Sequence, residues 1–111
     1  MTQTLLDRVR ARLWEEPSLR EVKMFGGISF MVADLMVVAV RKDESLLVRV
    51  DPAESQELQR RPGASIAQMG AGRSMGPSWL TVTADALTDE EELDAWLAAA
   101  FRHHAAQLGD G

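Results

Sequence analysis

Four runs of strand-forming residues, 22–26, 28–33, 35–42 and 46–50, follow one another with almost nothing between them. The links are Gly27, Ala33-Asp34 and Asp43-Glu44-Ser45. Connectors this short can only fold the chain back beside the strand it has just left, because a parallel return needs a dozen or more residues. The middle of the chain is therefore expected to be an antiparallel meander.

Alternation along the runs shows what the two faces of such a sheet carry. Ile28, Phe30 and Val32 point one way and Ser29 and Met31 the other, while Leu46, Val48 and Val50 oppose Leu47 and Arg49. One face is a core. The second shows Met31, Leu47, Arg49 and Trp79 with one side of the all-apolar run Leu35 to Val40, too much apolar surface to leave in water. The expectation is a homodimer that buries this face, or a helix that crosses it, with the helices from the two ends of the chain divided between the sheet's sides.

Helices bracket the strands. Leu5, Leu6, Val9 and Leu13 recur at helical spacing, Thr4 can cap them and Pro17 ends the pattern, which gives a first helix over 4–16. Asp51 as N-cap, Pro52 and Glu54 open a second helix that ends at Arg60-Arg61. An irregular strand near Ile66 to Met69 and a clear one over Trp79 to Thr83 follow. Thr88 and Glu91 then match a capping box, opening a last helix that ends at Gly109. Its apolar stripe holds Leu93, Trp96, Leu97, Ala100, Phe101, His104 and Leu108. The fold expected is α+β in the order α-β-β-β-β-α-β-β-α. Its antiparallel meander sheet has five to six strands, flanked by N-terminal and C-terminal helices.

The 111 residues suit one domain spanning 1–111, and folding at that length buries roughly 65% of the unfolded chain's surface. With no Cys there is no disulfide, thiol nucleophile or thiolate metal site, as suits a reducing compartment. The first residues lack a signal-peptide core, and the apolar run Leu35 to Val40 falls far short of the about 20 residues a membrane helix needs. The expected location is cytoplasmic, with no membrane partner. Net charge is −5, and residues 76–111 carry seven acids against Arg102 alone. Arg8, Arg10, Arg12, Arg20 and Lys23 are interleaved with acids, which reads as a solvated helix face and makes nucleic acid an unfavourable partner for the chain on its own.

No catalytic set emerges, so the expectation is a protein that is not an enzyme and uses no cofactor. His103 and His104 are adjacent on a helix and point about 100° apart, so they cannot share a metal ion. His104 reads as a packing residue, and His103 as a solvated one near the helix's negative end. Ser74, in Gly72-Arg73-Ser74-Met75-Gly76, has the G-x-S-x-G spacing, but no strand-to-helix context surrounds that loop, so it does not read as a nucleophile elbow. Gly26-Gly27 suits a bulge or sharp twist between the first two strands. The loop Gly70 to Gly76 has Gly-rich composition and Arg73, enough to seat an anion, but lacks the Lys and Ser/Thr of a phosphate-binding loop.

Several of these segments, taken together in order, resemble a known family. Lys23-Met24-Phe25-Gly26-Gly27-Ile28, an apolar hairpin, "LLVRVDP" at 46–52, "RPGA" at 61–64, "GRSM" at 72–75 and an aromatic strand at 79 are similar to the TfoX/Sxy N-terminal domain family. The likeness runs over roughly residues 5–105. It implies an α+β fold with helices beside an antiparallel sheet, and a structural role for Lys23, Met24, Phe25, Gly26 and Gly27. The founding members are competence regulators that promote expression of DNA-uptake genes with other transcription factors. They carry a second, helical domain for which this chain has no room, so it reads as a stand-alone member. Gly76 stands where relatives often have Lys. The functional expectation is a non-catalytic regulatory module that binds an unidentified protein partner, with Arg73 and Met75 as candidate contacts. The alternatives are a nucleic-acid-associated transcription factor and a small anionic-ligand-binding domain or enzyme at Gly70 to Gly76.

Overall fold

The computed structural model describes residues 4–24, 27–68 and 73–109. Its elements are α1 (Leu5–Leu13), β1 (Leu19–Met24), β2 (Gly27–Val32), β3 (Leu35–Arg41), β4 (Leu46–Arg49), α2 (Pro52–Leu58), β5 (Ala64–Ile66), β6 (Trp79–Val82) and α3 (Glu90–Gly109). The fold is α+β, with the six strands in one antiparallel sheet ordered β1-β2-β3-β4-β6-β5. The first four strands form the meander. Because β4 and β5 are both antiparallel to β6, they run the same way; α2 lies on the connection between them and β6 returns into the gap.

Local chemistry sets most boundaries. Thr4 and Asp7 form a capping box at the start of α1, the Asp7 N–H donating to Thr4 Oγ1 at 3.1 Å. Glu44, in the β3–β4 turn, accepts a hydrogen bond from the Leu5 N–H at 2.8 Å and ties that turn to the helix. The helix ends at Leu13, short of the expected residue 16, because a residue before proline is pushed out of helical geometry and Glu16 closes a turn onto Leu13 instead. β1 begins at Leu19 instead of residue 22, since pairing with β2 continues to Leu19 opposite Val32.

β5 occupies Ala64–Ile66, before the segment expected from composition. Gly63 makes this possible with a φ of +74°, and a methyl group there would strike Thr83 and Ala86. The start of α3 also differs from expectation. Thr88 donates its hydroxyl to the Asp85 carbonyl, closing a 3₁₀ turn over Ala84–Leu87, and Asp89 caps the helix by accepting from the Glu91 N–H at 2.9 Å.

A bulge in β3 sorts the side chains. Phe30 faces Val38 whereas Met31 faces Met36, which leaves Val37 as an extra residue. Val37 and Val38 consequently both join the main core. That core takes Phe30, Leu46, Val48 and Leu80 from the sheet and Leu5, Val9, Leu93 and Trp96 from the helices, all 3% exposed or less. Each such aliphatic or aromatic side chain contributes about 1.5–3 kcal/mol by leaving water. The buried apolar residues of all three helices belong to this one cluster, so the helices share a face of the sheet and are not divided between its two sides. Leu108, assigned to the buried stripe of α3, is 49% exposed.

Candidate binding face on the open side of the sheet

The opposite face is built by alternation and register. In β4, Leu46 and Val48 enter the core, so Leu47 and Arg49 point away from it. Leu47 stands between Ala39 on β3 and Thr81 on β6, and Ala39 stands beside Ser29 on β2. Arg49 pairs with Trp79, and its guanidinium carbon lies 5.3 Å from the centre of the indole ring. The β5–β6 connector completes the face. The Ala67 N–H donates to the Trp79 carbonyl and the Met75 N–H to the Ala67 carbonyl, both at 2.8 Å, which sets Met75 against the cluster.

The structure therefore gathers Met31, Leu47, Arg49, Trp79 and Met75 on one surface. Its centre is already dry. Leu47, Ala39, Ala67 and Ser29 are fully buried, and Met36 is 5% exposed. Met31, Met75, Trp79, Arg41 and Arg49 are half-buried around them. The part of this face expected to need a dimer or a crossing helix is sheltered within the chain itself, and no helix contributes to its cluster.

Polar groups on this face are poorly satisfied. Ser29 Oγ, Arg41 Nε and Arg49 Nε are shut off from water with no hydrogen-bond partner among the described residues. Arg41 was not singled out from the sequence. It points this way because the Val37 bulge shifts the parity of β3, placing Val38 and Val40 in the core and Ala39 and Arg41 outside it. Several cations elsewhere are answered: Arg8 and Arg12 meet Glu90, Arg12 meets Asp94, Arg10 meets Glu21, Arg61 meets Glu92 and Arg102 meets Glu54, although Arg8 Nε is also shut off from water without a hydrogen bond.

The other sequence candidates disperse. Arg73 is exposed, next to the Gln68–Ser74 bridge that brings Met75 round. Residues 70–72 of the Gly-rich loop lie outside the described residues, as do Phe25 and Gly26 of the signature. Lys23 and Met24 end β1, and Gly27 opens β2, where a methyl group would overlap the Val40 carbonyl. His104 is buried against the Val32 carbonyl, with Nε2 at 2.7 Å, and meets Phe101 edge to face. His103 is half-buried, not fully solvated, and burial followed by the nearby Arg49 charge lowers its pKa from the ordinary 6.5. Among the described residues no three His, Cys, Asp or Glu converge as a metal site, and no helix is long and apolar enough to cross a membrane.

A groove of about 580 Å³ between α2 and α3 is lined by Glu54, Glu57, Arg60, Arg61 and Arg102. Two of its three arginines are neutralised by Glu54 and Glu92, so the groove is walled by ion pairs. The open sheet face is the stronger candidate.

Comparison with known proteins agrees with this architecture. The model of the family described as TfoX N-terminal domain matches residues 12–104. The fold is similar to a crystal structure of a protein from Pseudomonas syringae, at 12% sequence identity and a TM-score of 0.62, covering 92% of this chain and 97% of that one. No curated protein gives a significant match.

Proposed function

The chain belongs to the TfoX N-terminal domain family, and from that premise we propose that it is a cytoplasmic protein-binding regulatory module that performs no catalysis. The observation that carries this reading is the open sheet face. A dry centre of Leu47, Ala39 and Met36 is ringed by half-buried Met31, Met75 and Trp79 and by Arg41 and Arg49, whose Nε atoms have no hydrogen-bond partner among the described residues. Methionine side chains adapt to a partner's shape, and Trp and Arg are the residues that most often dominate binding at an interface. A catalytic site needs the converse, a nucleophile or acid–base pair within hydrogen-bond reach of one point. The two histidines supply no such pair, since His104 is committed to the Val32 carbonyl.

The test is site-specific photo-crosslinking of the full chain in cells. A benzophenone amino acid at Ser65, exposed on this face, should capture a defined protein, whereas the same probe at Ala98, exposed on α3, should not. Equal capture from both positions, or none from Ser65, would remove the reading.

A further inference from the structure

We infer that the open sheet face takes an acidic, partly apolar protein segment whose carboxylates are held by Arg41 and Arg49, a refinement that rests on the protein-binding reading above. The strand positions that point to this side include Arg20, Arg41 and Arg49 and, among the described residues, no Asp or Glu. This is in a chain of net charge −5. Arg20 is answered by Asp34 at 2.8 Å. Arg41 and Arg49 have no ion pair among the described residues, yet each is half-buried with its Nε excluded from water. Arg49 stacks on Trp79 and Arg41 feels the Asp43 charge, but the Nε of each gives up hydration without recovering a hydrogen bond, and an incoming carboxylate restores it with forked geometry.

The chain's own carboxylates gather elsewhere. Glu90 and Asp94 engage α1, and Glu92 engages Arg61, all on the helical side. A second copy docking face to face about a two-fold axis would bring positive surface to positive surface, which this face disfavours. A phosphate backbone is disfavoured by the net negative charge and by the small number of free cations. An acidic protein segment meets both constraints.

Spacing narrows the ligand. The Arg41 N–H bonds the Ser45 carbonyl, so Arg41 lies four β4 residues from Arg49, roughly 13 Å at about 3.3 Å per residue. The fitting segment carries two carboxylates that far apart with apolar side chains between them. That is about eight residues of helix, at 1.5 Å rise, or about four of extended chain.

Sequencing of the peptides crosslinked from Ser65 tests this, in the parent chain and in Arg41→Glu, Arg49→Glu, Arg41→Met and Arg49→Met variants. The Met variants remove charge but keep volume, so their response is separable from misfolding, which circular dichroism reports. The expected peptide has acids flanking apolar residues. Capture should fall at least about tenfold in the Glu and Met variants, since losing one partner of a desolvated charge pair has that scale of effect. A captured protein without acids at the contact, or capture indifferent to these variants, overturns the acidic segment and leaves the protein-binding reading standing. Capture of a second copy of the chain, of nucleic acid, or of nothing overturns both.

Discussion

Gly27 shows what one residue can require and how little of it is visible beforehand. It opens β2, pairs with Met24 on one side and Arg41 on the other, and leaves no room for a side chain because the Val40 carbonyl occupies the position of a Cβ. Gly27→Ala must push β2 and β3 apart, a form of overpacking that costs about 1–3 kcal/mol. A urea midpoint lowered accordingly is expected, and a midpoint equal to that of the parent would show that the strands can part freely. The Gly26-Gly27 pair was legible in the sequence as a backbone special, but its purpose was not. The bulge lies instead at Val37, in the neighbouring strand, and the demand for glycine comes from a carbonyl 13 positions away. Arg41 was missed for a related reason. Counting by twos from Leu35 puts Arg41 on the core side, and an all-apolar run offers no polar residue by which to notice that the count has slipped.

At the scale of elements, short-range chemistry was largely readable, and competition between neighbouring signals was not. The four consecutive strands and the turns at Ala33-Asp34 and Asp43 to Ser45 follow from connector length, and the structure has all of them. The sequence assigns the start of α3 to Thr88, one residue early, because Thr88 and Asp89 are both good cap residues. The 3₁₀ turn over Ala84–Leu87 decides between them by engaging the Thr88 hydroxyl, which leaves the Glu91 N–H to Asp89. Asp89→Ala should therefore lose about 1 kcal/mol of unfolding free energy, the usual contribution of an N-cap. Thr88→Ala, at an exposed site, should change it by under about 0.5 kcal/mol. Chemical denaturation of the two variants side by side decides the matter, and the reverse order would restore the capping box at Thr88. The position of β6 between β4 and β5 is the least local feature of the fold. Nothing in a single segment states it, because it depends on α2 carrying β5 over in the direction of β4 and leaving a strand's width between them.

The whole molecule separates its charges, with ion pairs binding α1 to α3 and an opposite sheet face whose strand positions carry no acid among the described residues. This arrangement makes stability fall toward acid in two stages. Hydrogen bonds from Arg10 hold Glu21 below the ordinary carboxylate range, and those from Ser45 do the same to Asp43. A carboxyl group whose folded pKa is depressed binds protons more weakly than in the unfolded chain. Its contribution is intact above the ordinary values of 4.5 and 3.8 and is lost as pH falls through the lower folded ones. His103 acts with the same sign at higher pH. Burial first, then Arg49, lowers its pKa from 6.5, so the unfolded chain takes up its proton earlier and stability declines as pH falls below about 6.5. A urea midpoint measured from pH 8 to pH 4 should fall gently on first passing 6.5 and again near 4, and His103→Gln should abolish the first decline alone. A parent midpoint that stays level between pH 7.5 and 5 would contradict the role given to His103. Because Arg49 is one cause of that shift, Arg49→Met should move the His103 titration, followed by proton NMR, back toward 6.5. An acidic segment docked on the open face should do the same by answering the Arg49 charge, which makes this histidine a reporter for occupancy of the face.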